Sequence, residues 1–135
     1  MDLVRRSDWP ARLARFIAAR SAVPFEYGKQ DCTSFGIDWV RECTGVEVTP
    51  IDWTSEREAL EAVRRAGGLR QAISSKLGQP RQNWREARRG DVGLTDGITG
   101  RDSVVVCAGL TWVGAGKEGL VHLPLARAML VWQVG

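Results

Sequence analysis

Residues 31–43 decide the fold, and they read Asp31-Cys32-Thr33-Ser34-Phe35-Gly36-Ile37-Asp38-Trp39-Val40-Arg41-Glu42-Cys43. Apolar or small residues recur at positions 32, 35, 36, 39, 40 and 43. These positions share one face of an α-helix, which has about 3.6 residues per turn. Asp31 is a suitable N-cap, and Gly45 is typical of a C-terminal stop. The stretch therefore predicts a buried helix that opens at Cys32.

The segments on either side of this helix also read as helical. Residues 7–10, Ser-Asp-Trp-Pro, join an N-cap candidate to a proline in a first turn, and this helix should end before Pro24. A third helix is expected after Trp53, where Ser55 and Glu58 have capping-box spacing. We expect Leu60 and Val63 to face inward from it, and a short fourth helix to carry Leu69, Ala72, Ile73 and Leu77.

The last part of the chain has the short β-branched runs and glycine-bearing turns of an antiparallel sheet. The candidate strands cover residues 90–94, 103–110, 111–113, 119–123 and 130–134. Helices followed by strands predict an α+β fold, with N-terminal helices packed on one side of a small C-terminal antiparallel sheet. We expect a single domain over residues 1–135, helical to about residue 80 and stranded from about residue 88.

The composition is that of an ordinary globular domain, since 44% of the 135 residues are hydrophobic and 26% are charged. The N-terminus has no apolar run after its charges, so we expect no signal peptide, no membrane segment and folding in a reducing cytoplasm. The three cysteines form no CxxC pair, and His122 is the single histidine. We therefore predict no disulfide framework, no metal site and no cofactor.

Arginine supplies most of the positive charge, and the net charge is +3. The densest run is Arg81, Arg85, Arg88 and Arg89, interrupted by Glu86. A solvated face or a protein contact is the interpretation we favour, and nucleic-acid binding is kept as an alternative.

Cys32 is the residue with the clearest chemical potential. A thiol in the first turn of a helix meets free amide groups and the positive end of the helix dipole, which favour the thiolate. The alternative is a small buried hydrophobic residue, because Cys32 also opens the apolar stripe. A catalytic thiol needs a base, whereas His122 lies in a late strand and Asp91 and Asp102 are acidic. Cys43 and Cys107 are expected in the core.

Four segments together carry a family resemblance: residues 24–32 (Pro-Phe-Glu-Tyr-Gly-Lys-Gln-Asp-Cys), 87–92 (Ala-Arg-Arg-Gly-Asp-Val), 103–109 (Ser-Val-Val-Val-Cys-Ala-Gly) and 112–123. In this order they resemble the NlpC-type cell-wall cysteine peptidases, a branch of the papain-like fold, in the short version encoded among bacteriophage tail genes. The resemblance implies that Cys32 stands at the nucleophile position, Ser103 at the catalytic histidine and Gly114 at the third, orienting residue. The histidine position is thus lost, and Cys32 is expected to be vestigial.

The resemblance also implies a context. The expected function is a structural component of a phage tail tip or baseplate, or of its assembly, with a catalytically inactive peptidase-like fold. The expected location is the virion, after folding in the host cytoplasm. Other tail proteins (hub, distal tail or central fibre proteins) are the expected partners. The alternative is an active peptidoglycan amidase or endopeptidase that uses Cys32, helped by His122 or by a residue from a partner. Trp9, Tyr27, Trp53, Trp84 and Trp112 suit protein contacts, whereas Trp39 and Trp132 are expected in the core.

Overall fold

The computed structural model describes residues 3–48, 52–98 and 101–135. In this part of the chain, helices come first and the strands of an antiparallel sheet follow. The predicted α+β class, with N-terminal helices and a C-terminal sheet, is confirmed. None of the helices in the described ranges has the length and apolar character needed to cross a membrane.

The helices begin and end close to the predicted positions. Their bounds are α1 Trp9–Arg20, α2 Cys32–Thr44, α3 Glu56–Arg65 and α4 Leu69–Leu77. Asp31 caps α2 by accepting the Ser34 amide, and Gly45 ends it in the left-handed conformation at φ 73°. The Ser55 side chain caps α3 as predicted. Local side-chain chemistry therefore fixes both ends of α2 and the start of α3.

The described strands pair into a sheet with the order β4-β3-β2-β1-β5. Their bounds are β1 Val92–Thr95, β2 Ser103–Cys107, β3 Thr111–Gly116, β4 Gly119–Pro124 and β5 Ala128–Trp132. Every pairing is antiparallel. Strand β3 runs beyond the predicted residue 113 because it pairs with β4 along its whole length, up to Gly116 opposite Gly119.

Helix α2 packs directly on the sheet through β2. Its apolar stripe is buried, and Phe35 and Trp39 are fully inaccessible to solvent. Phe16 of α1 stacks against both of these rings, at centroid distances of 5.1 and 5.5 Å. Gly36 permits the close approach to the sheet, because a Cβ at this position would lie 2.6 Å from a methyl group of Val104. The stretch that decided the fold in sequence is thus the centre of the main core.

The other face of the sheet is covered by loops and by short 3-10 turns at Trp84–Glu86 and Leu125–Arg127. Trp112 is fully buried on this face, and its indole donates to the Leu125 carbonyl oxygen at 2.9 Å. The expectation that Trp112 serves a surface contact is therefore wrong. Trp39 and Trp132 are fully buried, as predicted.

Helix α3 is attached to the rest of the domain by little apolar surface. Ala59 is its only buried residue among those described, and Leu60 is 46% exposed. The prediction that Leu60 faces inward is therefore wrong. The buried face of α3 instead contains Ala59, one residue earlier. The helix contacts the rest of the domain through this small side chain rather than through a continuous row of large apolar residues.

Arg5 fastens the N-terminal segment to the end of the chain. Its guanidinium group donates to the Val134 carbonyl oxygen at 2.5 Å and forms an ion pair with Asp91 at 2.8 Å. The Asp91 carboxylate also accepts the Val134 and Arg88 amides, at 3.1 and 2.9 Å. Asp91 is 1% exposed, so these donors replace water around its charge.

Candidate functional site

The residue before Cys32 is a buried carboxylate with four hydrogen bonds. Asp31 accepts the Ser34 amide at 2.8 Å and the Ser34 hydroxyl group at 2.9 Å. It also accepts the Gly28 amide at 2.6 Å and the Trp53 indole at 2.9 Å. Asp31, in the segment Tyr27-Gly28-Lys29-Gln30-Asp31-Cys32, therefore joins the loop before α2, the start of α2 and the segment that leads into α3.

Gly28 is the conformationally special residue of the same segment. It has φ +85°, which a residue with a side chain rarely adopts. A Cβ at Gly28 would also overlap the Trp53 carbonyl oxygen. Phe25 and Tyr27, in the same loop, pack edge to face at 4.9 Å. Most of this segment is thus explained by the packing of the loop against the residues around Trp53.

Cys32 opens α2 as predicted and is partly buried. Its sulfur lies 3.7 Å from the Thr33 hydroxyl oxygen, a weak contact. Burial raises the pKa of the Cys32 thiol, and the backbone amide of Val104 and the Thr33 hydroxyl group only partly oppose this effect. The negative charge of Asp31 raises the pKa further.

The comparison of magnitudes explains why the helix start does not activate this thiol. A helix N-terminus stabilises a nearby negative charge by about 0.3–1 kcal/mol. The removal of a charge from water costs on the order of several kcal/mol unless partners replace the water. Because Cys32 has few such partners, the balance supports a neutral thiol. This favours the interpretation of Cys32 as a small buried hydrophobic residue over that of a stabilised thiolate.

The start of β2 supplies the groups that neighbour Cys32 from the sheet. Arg101 and Asp102 line the same cleft as Cys32. Ser103 is fully buried, and its hydroxyl group donates to the Arg101 carbonyl oxygen at 3.3 Å. Side chains alternate along a strand, and Val104 is the residue that contacts α2 at Gly36. Ser103 therefore points away from Cys32, whereas Asp102 lines the cleft. A carboxylate is a much weaker base than a thiolate and does not supply the missing function.

His122 lies on β4 and is exposed, two strands away from β2 in the sheet. Its Nδ1 atom is 2.9 Å from the Thr111 hydroxyl oxygen on β3. A Cβ at Gly114 would lie within 2.8 Å of Ile98 and 2.9 Å of Val105, so this position has no room for an orienting polar side chain. The structure therefore brings neither of the other candidate positions together with Cys32.

The cleft beside Cys32 is small, with a volume of about 80 Å³. Aromatic and aliphatic side chains form most of its wall: Phe25, Tyr27, Trp53, Ala59 and Leu60. Pockets that hold small molecules are typically about 300–1,000 Å³. In this conformation the cleft is too small for a stem peptide.

The arginine run lies around the 3-10 turn at residues 84–86 and contacts the domain itself. Arg85 stacks on Trp84 at 4.6 Å, and Arg89 lies 5.2 Å from the Trp9 ring. Arg81 pairs with Glu86 at 3.5 Å. Cation–π contacts of this kind occupy the faces of Trp84 and Trp9. The nucleic-acid alternative stays a prediction without support from this geometry.

Among the described residues, no three His, Cys, Asp or Glu side chains come close enough together to hold a metal ion. Cys32, Cys43 and Cys107 are free thiols. Burial raises the pKa of Cys43 to about 11 and also raises that of Cys107, as expected for thiols in a core.

The packing of α3 and Trp53 beside the cleft could not be predicted from the sequence. Glu56, in the first turn of α3, forms an ion pair with Arg101, which lines the same cleft as Cys32. Trp53 is fixed by its bond to Asp31. These contacts join residues that are 22 and 45 positions apart in sequence, so no local pattern reports them.

The family described as a domain of unknown function, DUF6950, matches residues 4–134. The match spans nearly the whole chain, and the chain belongs to this family. No curated protein matches the sequence at a significant level.

Proposed function

We propose that this DUF6950 domain is a structural component of a bacteriophage tail tip or baseplate, or of its assembly. In this proposal the peptidase-like fold is catalytically inactive, and other tail proteins are the partners. The order of helices and strands agrees with what the resemblance to NlpC-type peptidases implies. The resemblance itself supplies the phage setting.

One observation carries the inactive part of the proposal. Among the described residues, the Cys32 sulfur has the Thr33 hydroxyl group as a hydrogen-bonding neighbour, and no histidine lines its small cleft. The loss of the base from a nucleophile–base pair lowers the rate by about three to six orders of magnitude. The neutral state of the thiol acts in the same direction.

The partner half of the proposal is tested by reconstitution. The chain is co-expressed with candidate tail hub, distal tail and central fibre proteins, and complexes are separated by size-exclusion chromatography. We expect a stoichiometric complex with at least one of them, and Cys32→Ala should leave it intact. A chain that elutes alone in every combination would contradict the proposal.

The competing function is an active peptidoglycan amidase or endopeptidase. The position of Cys32 at a helix start, lining a cleft, is the observation that favours it. Purified peptidoglycan is incubated with the wild type and with Cys32→Ala, and released stem-peptide fragments are quantified. We expect both proteins to give the background rate. Release that depends on Cys32 would establish the competing function.

A further inference from the structure

Helix α3 covers the cleft that contains Cys32. Ala59 and Leu60 in its first half line this cleft together with Phe25 and Tyr27. Ala59 is the only buried residue of this helix in the described structure, although α3 has 10 residues. A segment with so little buried apolar surface is expected to open at low free energy, independently of the core.

The two ends of α3 differ, because the segment before it is anchored and the segment after it contains two glycines. On the N-terminal side, Trp53 is anchored to Asp31 by a hydrogen bond of 2.9 Å. On the C-terminal side, Gly67 and Gly68 have φ +92° and +109°, and no atom lies within 4 Å of a Cβ placed on Gly68. The amides of these glycines donate to the Arg64 and Val63 carbonyl oxygens at 3.0 and 2.9 Å, and once these two bonds open, glycine allows large backbone rotations at low steric cost.

Among the described residues, one ion pair joins α3 to a residue outside the helix. Glu56 of α3 forms an ion pair with Arg101, which precedes β2. The side chains are 52% and 49% exposed, so solvent and partners reach them. The pair thus joins the start of α3 to a residue that lines the cleft.

We infer that α3 is a displaceable lid over the Cys32 cleft, latched by the Glu56–Arg101 ion pair and hinged at Gly67–Gly68. A partner that engages either charge releases the lid and widens the cleft. This inference concerns access to the cleft and goes beyond the proposed function, since it holds whether or not the thiol is a catalyst.

The test uses iodoacetamide as a neutral probe of Cys32. Alkylation of the full-length protein is followed at one fixed pH, by mass spectrometry of the peptides that contain each cysteine. We expect Glu56→Gln and Arg101→Gln each to speed alkylation of Cys32 about two- to five-fold, the change that the loss of an exposed ion pair allows. These substitutions alter the local charge in opposite directions, so a shared increase cannot come from a changed thiol pKa.

Two controls make the result specific. The charge-swapped double variant Glu56→Arg with Arg101→Glu should return the rate towards that of the wild type. Arg57→Gln, which removes an 89% exposed charge that pairs with Glu61 on α3 itself, should leave it unchanged. Unchanged rates in both latch variants would overturn the inference. A parallel increase at the buried Cys43 and Cys107 would also overturn it, because the opening would then involve the whole domain.

Discussion

The carboxylate of Asp31 accepts four hydrogen bonds inside the domain, whereas the thiol of Cys32 beside it has only the Thr33 hydroxyl group and the Val104 backbone amide as partners among the described residues. The role of Asp31 as a helix cap could be predicted from residue type and position. Its bond to Trp53 could not, because the partner lies 22 residues away in a different element. The protonation state of the Cys32 thiol could not be predicted either. It depends on burial, which is a property of the tertiary structure and outweighs the local effect of the helix start.

At the residue scale, we predict that Asp31→Ala lowers the free energy of unfolding by about 2–4 kcal/mol, through a lost cap and unpaired buried donors. Asp8→Ala is the matched control, because Asp8 occupies the N-cap position of α1 without a capping hydrogen bond. Its effect should be much smaller. Urea denaturation measures both, and equal losses would contradict the structural role assigned to Asp31.

At the element scale, α2 could be predicted almost completely, since its apolar stripe and both terminal residues are local signals. Helix α3 could be predicted in extent but not in orientation. Leu60 and Val63 fit an inward face by spacing, yet the helix docks through Ala59. The Glu56–Arg101 ion pair joins α3 to the residues before β2, and local periodicity does not encode it.

Gly36 provides a test of the contact between α2 and β2. Alanine normally favours a helix over glycine by about 1 kcal/mol. At position 36 we expect Gly36→Ala to be destabilising by about 1–2 kcal/mol, because the added methyl group would meet Val104 in a filled core.

The double variant Gly36→Ala with Val104→Ala is the control for this prediction. It should be more stable than the sum of the single effects indicates, because the second change makes room for the first. Thermal unfolding of the three variants gives the comparison. A Gly36→Ala protein that is more stable than the wild type would show that α2 and β2 are not in tight contact at Gly36.

At the scale of the whole molecule, the α+β class could be predicted because the periodicity changes along the chain. The way in which the two ends of the chain are joined could not be predicted. In the sequence, Asp91 stood out as part of the segment 87–92 and as an acidic residue unsuited to act as a base, yet it binds Arg5 and the Val134 amide. That role depends on the two termini meeting in space.

Arg5→Ala should therefore lower the free energy of unfolding by about 3 kcal/mol, because the Asp91 carboxylate would stay buried without its charged partner. Arg127→Ala is the control, since Arg127 pairs with Asp96 at 3.4 Å on the surface and is 46% exposed. Its loss should cost less than about 1 kcal/mol. Chemical denaturation monitored by tryptophan fluorescence measures both variants. Similar values for the two would contradict the role of the Arg5–Asp91 pair.

The central claim is that the Cys32 thiol is not activated as a nucleophile. Its most direct test is the pH dependence of alkylation by iodoacetamide, measured on the peptide that contains Cys32. The thiolate is the reacting species, so a raised pKa moves the increase in rate to higher pH. We predict a midpoint above that of an ordinary cysteine, because burial raises the pKa of Cys32. A midpoint at about pH 7 or below, the range of activated cysteines, would contradict the account.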